Sequence, residues 1–162
     1  MERRRALLIA AALACAAVGT SAAPSDDGDD QALSADADYA AGLKAVKGRD
    51  FSAALPRFVS ALKRFPDAAN LHNELGYTYR HLGQFPKAFE HYERALAIDP
   101  RHRSAHEYIG EAYLMVGDTA GAQKHLDALR SICTLPCEEM RDLQAAIDEH
   151  LRKAPASAPA AK

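Results

Sequence analysis

Residues 74–100 read ELGYTYRHLGQFPKAFEHYERALAIDP, and this stretch decides the fold. Small residues Gly76, Ala88 and Ala95 and large residues Tyr79, Phe85 and Tyr92 recur at helical spacing, not in the alternation of a strand. Gly83-Gln84 interrupts the pattern, and glycine suits the left-handed residue that closes a helix. Pro86 follows near the first position of a second helix, where a missing N–H costs little. Pro100 stops that helix. The stretch predicts helix, short turn, helix, with small residues letting the two approach and large ones filling the space between.

The same pattern recurs on both sides with a period of 34 residues. Gly42, Gly76 and Gly110 share one column, and Ala54, Ala88 and Ala122 another. Phe58, Tyr92 and Leu126 form a large column, followed by Ala61, Ala95 and Leu129. Three copies result, at 35–68, 69–102 and 103–136. Asp50 and Asp118 are placed to N-cap the second helices of the first and third copies. The first copy carries Pro56 inside its second helix, which predicts a kink or a late helix start. Beyond the third copy, Met140, Leu143, Ile147 and Leu151 make one apolar stripe on a helix over 137–152 that covers the open end of the stack.

This register resembles the tetratricopeptide repeat (TPR). The resemblance rests on Glu74 to Pro100, on IGEAYLMVGDTAGAQKHL from Ile109 to Leu126, and on AGLKAVKGRDFSAALPRFVSALKRFP from Ala41 to Pro66. It implies an all-α fold, three tandem helix-turn-helix repeats in a short right-handed α-solenoid with a C-terminal capping helix. It also implies a concave groove, lined by the first helix of each repeat, that binds a protein or peptide partner. Carried over position by position, the groove residues are Tyr39, Leu43, Val46 and Lys47 in the first copy. Asn73, Tyr77, Arg80 and His81 follow in the second, and Glu107, Glu111, Leu114 and Met115 in the third. Arg80 and Asn73 are expected to hold a peptide backbone or carboxylate, with Tyr77 and Tyr39 supplying contact area. The family's two-carboxylate clamp wants Lys and Asn where this chain has Tyr39 and Leu43, which argues against acidic C-terminal tails.

Residues 1–22 read as an export leader. Arg3, Arg4 and Arg5 precede an apolar run from Ala6 to Val18, and small residues suited to cleavage after Ala22 follow. The run is short for a permanent span, so no membrane insertion is expected after cleavage. Lipid attachment at Cys15 is the alternative, with poorly matched flanking residues. Residues 23–34, with Asp26, Asp27, Asp29 and Asp30, read as a flexible acidic arm. Residues 153–162 read as a disordered Ala/Pro tail. The expected destination is the periplasm.

A balance of 20 Lys+Arg against 22 Asp+Glu, net −2, speaks against a nucleic-acid partner. The sequence contains no phosphate-binding Gly-rich motif, HExxH or nucleophile elbow, so neither an enzyme nor a cofactor is expected. The 7 histidines are expected to be solvated on different helix faces, with no metal site. Cys133 and Cys137, in SICTLPCEEM, are expected to form one disulfide in an oxidising compartment and to pin the cap to the third repeat. A redox-active or metal-handling pair is the alternative. The sequence thus predicts a non-catalytic adaptor or scaffold, with self-association as a further option.

Overall fold

The computed structural model describes residues 31–153. The export leader, Cys15, the acidic arm up to residue 30 and the tail from residue 154 lie outside the described residues. The main helices are α1 (Ala37–Lys47), α2 (Phe51–Leu62), α3 (Ala69–His81), α4 (Phe85–Ile98), α5 (Arg103–Met115), α6 (Thr119–Ile132) and α7 (Glu138–Lys153). No strand occurs among the described residues.

Local chemistry sets the helix ends. Asp36, Asp50 and Asp118 accept backbone N–H bonds from Tyr39, Ala53 and Gly121 at 2.9, 3.0 and 2.9 Å, which caps α1, α2 and α6. Gly83 and Gly117 take left-handed conformations after α3 and α5, with φ +72° and +83°. In the first repeat that role passes to Arg49, at φ +60°, while Gly48 stays at φ −80°. Pro56 does not delay α2, which begins at Phe51 and runs unbroken to Leu62. It falls in the second turn and removes only the bond to the Ser52 carbonyl.

Helices pair in sequence, α1 with α2, α3 with α4 and α5 with α6, and the pairs join through α2 on α3 and α4 on α5. The first helices also touch one another, α1 with α3 and α3 with α5, and the second helices make no comparable contact. The stack is therefore an α-solenoid that curves with α1, α3 and α5 on its inner side. α7 closes the end by packing on both α5 and α6. One core, built on Phe58, Leu71, Leu75, Tyr79, Tyr92 and Ile109, joins the repeats. A second, with Leu126, Leu129, Leu143 and Ile147, lies under the cap. Where α3 meets α4 only glycine fits: a Cβ on Gly76 would stand 2.6 Å from Tyr92 Cδ1. The end of the arm differs from the expected flexible leader, because 31–34 form a helical turn and Leu33 is 1% exposed in the first core.

The histidines correct the expectation of solvated side chains. His72, His106 and His125 are buried, and His91 is half-buried. His72 and His91 tie α3 to α4 through their Nδ1 atoms at 3.0 Å, and His106 and His125 tie α5 to α6 at 2.9 Å. Nε2–H of His72 and of His106 donates to the carbonyls of Pro66 and Pro100, at 3.0 and 3.2 Å. The signal lies in the register, since 72 and 106, like 91 and 125, are one repeat apart.

Candidate functional site

α3 has neighbours on both sides, and its side chains are buried nearly all round. This overturns the expectation that Asn73 and Arg80 present free polar groups to a ligand. Asn73 is 4% exposed and Arg80 7%. Arg80 is already committed: its Nη1 donates to Glu111 Oε2 at 2.5 Å. Its guanidinium carbon lies 5.2 Å from the Tyr77 ring centre and 5.6 Å from that of Tyr108.

Aromatic rings continue this cluster. Tyr77 and Tyr108 stand 5.0 Å apart. Tyr77 tilts against His81 at 4.4 Å, and His81 stacks on Phe51 at 4.2 Å with the planes nearly parallel. A seam Phe51–His81–Tyr77–Tyr108 therefore crosses from the first repeat to the third, with the Arg80–Glu111 pair beside it. Sequence reasoning reached Tyr77, Arg80, His81 and Glu111 and missed Phe51 and Tyr108. Tyr108 follows Tyr77 by 31 residues, the same offset that separates Glu111 from Arg80. That is one repeat less one helical turn, and it marks neighbours on adjacent first helices.

The other groove positions separate. Leu114 is 8% exposed and belongs to the second core, contrary to its expected place on the groove surface. Its edge reaches a cavity of about 370 Å³ between α5 and α7, rimmed by Met115, Ala146 and Lys153. Met115 itself is 58% exposed. Tyr39 and Leu43 stand apart on α1. Tyr39 is half-buried with its ring 5.9 Å from Phe58, and Leu43 is 37% exposed. Val46 packs against the first core, and Lys47 is exposed.

Carboxylates dominate the electrostatics around the seam. Burial pushes Glu74 up to about 7. Glu107 is also pushed up to about 7, first by burial and then by Glu111, Asp142 and Glu139. His81 is held below its usual value by burial and by the charges of Arg80 and Arg49. Glu74 and Glu107 have no ion-pair or hydrogen-bond partner among the described residues. No group of three His, Cys, Asp or Glu able to hold a metal occurs among the described residues. No described helix is long and apolar enough to cross a membrane. At the cap, Cys133 closes α6 and Cys137 precedes α7, with Cα atoms 6.0 Å apart and their sulfurs in contact.

Two tetratricopeptide repeat sequence models match the chain, over residues 39–103 and 80–147. The Protein CTR9 homolog of Arabidopsis thaliana is 32% identical over 111 residues, which make up 64% of this chain and 9% of that protein. The chain thus spans less than a tenth of that relative. Among solved structures, the TPR2B-domain:pHsp70 complex of yeast Sti1 aligns with a TM-score of 0.65 at 19% identity, covering 77% of this chain and 98% of that one. The first TPR of Spaghetti (RPAP3), bound to the HSP90 peptide SRMEEVD, aligns with a TM-score of 0.60 at 19% identity, covering 68% and 89%. At such identities these structures speak for the fold alone. The helix pairs, the repeat register and the two matching sequence models agree, and the chain belongs to the tetratricopeptide repeat family.

Proposed function

We propose that this chain is a non-catalytic adaptor that holds a protein segment on the inner face formed by α1, α3 and α5. The observation that carries the reading is the aromatic seam through Tyr77 and Tyr108, held in place by packing between adjacent first helices. Aromatic side chains add large contact area at low cost in rotamer freedom, and they concentrate binding energy in interfaces. Two aligned TPR structures carry segments named as pHsp70 and an HSP90 peptide, which supports the class of ligand. The leader sequence supports export to the periplasm, and there Cys133 and Cys137 act as a structural disulfide.

Burial decides which variants test this. Alanine at Asn73 or Arg80 damages the stack, because both are buried. Leu43 and Met115 are exposed on α1 and α5, so Leu43→Glu with Met115→Glu alters the inner face and spares the core. The test is affinity capture from the exported fraction with the parent chain and with this double variant, both confirmed folded. A partner kept by the parent and lost from the variant is the expected result. Equal retention by both places the binding site away from Leu43 and Met115.

A further inference from the structure

Resting on the disulfide reading above and going beyond its bracing role, we propose that the Cys133–Cys137 bond is also an exchange site, which takes the thiolate of a cysteine flanked by acidic residues in a protein segment.

The bond is reachable. Cys133 and Cys137 are each half-buried, and both line a cavity of about 360 Å³ that they share with Arg101 and Arg103. Thr134, Leu135 and Pro136 between them are exposed, Leu135 by 79%, so the connecting loop is not packed under another element.

Two guanidinium groups bracket the bond. Arg101, in the turn before α5, donates from Nη2 to the Ile132 carbonyl at 3.3 Å, one residue before Cys133. Arg103, at the start of α5, holds its Nε 3.5 Å from Glu139 Oε1, two residues past Cys137. One cation thus stands at the end of α6 and the other at the first turn of α7. Glu138 and Glu139 oppose an incoming anion, but Glu139 is engaged by Arg103. Asp99 Oδ1 accepts the backbone N–H of Arg101 at 2.8 Å. The Arg101 guanidinium forms no ion pair among the described residues. It is therefore available to a carboxylate beside the attacking sulfur.

The fold gives the two sulfurs different roles. Cys133 ends α6, and its N–H donates to the Leu129 carbonyl at 2.9 Å. Cys137 stands before the 16-residue α7, and its carbonyl accepts the N–H of Arg141 at 3.2 Å. The positive end of a helix dipole favours a thiolate, and the negative end disfavours one. Cys137 is therefore the better leaving group and Cys133 the sulfur attacked. In the step, the electron pair of the incoming thiolate forms a new S–S bond to Cys133 Sγ. The Cys133–Cys137 bond breaks, and its electron pair leaves on Cys137 Sγ. The incoming sulfur is oxidised, the Cys137 sulfur is reduced, and no proton moves.

The test mixes the oxidised full chain with the capped peptides Glu-Cys-Glu, Gln-Cys-Gln and Lys-Cys-Lys. Free thiols are trapped with N-ethylmaleimide, and the tryptic fragment 131–141 is read by mass, apart from Cys15. Per thiolate, Glu-Cys-Glu is expected to react at least about tenfold faster than Lys-Cys-Lys, with the adduct on Cys133 and the maleimide on Cys137. An isolated oxidised peptide of residues 131–140 is expected to show the reverse order, because Glu138 and Glu139 then repel the anion without Arg101 and Arg103. Arg101→Gln with Arg103→Gln, both exposed positions, is expected to abolish the preference in a chain confirmed folded. Lys124→Gln, exposed on α6, is expected to keep it and controls for overall charge.

Equal rates for the three peptides overturn the proposal, as does an adduct carried on Cys137. A preference that survives Arg101→Gln/Arg103→Gln overturns it too. No adduct from any peptide, with fragment 131–141 still at its oxidised mass, rejects exchange and keeps the bracing disulfide. A fragment found reduced before any peptide is added rejects both.

Discussion

His91 meets His72 in the register place where Arg57 meets Asp38 one repeat earlier. Arg57 Nη1 lies 3.2 Å from Asp38 Oδ1, and the two imidazole Nδ1 atoms lie 3.0 Å apart. One link between the paired helices is thus made twice with neutral rings and once with an ion pair. The ion pair sits in the first repeat, where Arg57 is exposed and water solvates it. In the buried repeats a charge would be costly, and neutral imidazoles fill the same place. His72 spends its Nε2–H on the Pro66 carbonyl, so its Nδ1 accepts from the Nδ1–H of His91. Tyr79 stacks over His91 at 5.4 Å, and Tyr113 over His125 at 5.7 Å.

These pairs make the stack sensitive to acid. His91 and His125 are each pushed down to about 4, by burial first and then by the neighbouring histidine. Their folded values lie below the usual 6.5, so the unfolded chain takes up protons first as pH falls. The stability they confer is complete above about 6.5 and is lost toward about 4, by on the order of 2 kcal/mol per pair. Glu74 and Glu107 act in the opposite sense in that range, so the readout is variant against parent in melts across pH. The double variant His72→Asp/His91→Arg, which copies residues 38 and 57, is expected to lose less stability on acidification than the parent. Parallel pH profiles would contradict the buried neutral pair.

Glu74 carries the reverse dependence. Its folded value near 7 exceeds the usual 4.5, so the folded state keeps a proton that the unfolded chain releases. Stability is therefore lost as pH rises from about 4.5 to about 7, and the penalty is complete above that. Glu74→Gln is expected to stabilise the chain by about 1–2 kcal/mol at pH 8 and by little at pH 4, in urea titrations. Destabilisation at pH 8 would mean that the carboxylate has a partner.

Gly76→Ala is expected to destabilise by about 1–3 kcal/mol, because the added methyl meets the buried Tyr92 ring. Chemical denaturation reads it directly. A neutral result would mean that α3 and α4 separate without cost.

Arg80→Ala is expected to lower stability by about 3–5 kcal/mol, since it removes ring contacts and strands a partly buried Glu111. Arg80→Met with Glu111→Leu is expected to recover most of that, because neither charge then remains. A double variant as unstable as the single one would assign the loss to ring packing.

The Cys133–Cys137 bond closes only a short loop, so reducing it is expected to cost only about 2 kcal/mol. Amide exchange is expected to quicken in α7 and to stay unchanged in α3 and α4. Uniform acceleration would show that the cap supports the whole stack.

Much of the fold is legible in the sequence, because packing between paired helices constrains residue size column by column. Gly76 can only be small where Tyr92 crosses it, and the same conflict recurs at Gly42 under Phe58. Asp50 and Asp118 announce helix starts because their side chains reach nearby backbone N–H groups. The site is less legible. A groove position such as Leu43 on the end helix α1 stays partly exposed, whereas Arg80 on the central α3 is covered. Repeat position alone does not distinguish them.

By itself the sequence determines the helix pairs, their turns and the order of stacking, since these follow from contacts within one repeat and its register with the next. Only the tertiary structure decides that Arg80 belongs to Glu111 and that Glu74 and Glu107 are left without a cation. It also decides that four histidines close into two pairs. Charge pairing and burial depend on side chains brought together from different helices, and hydrophobic periodicity along one helix carries no record of that approach.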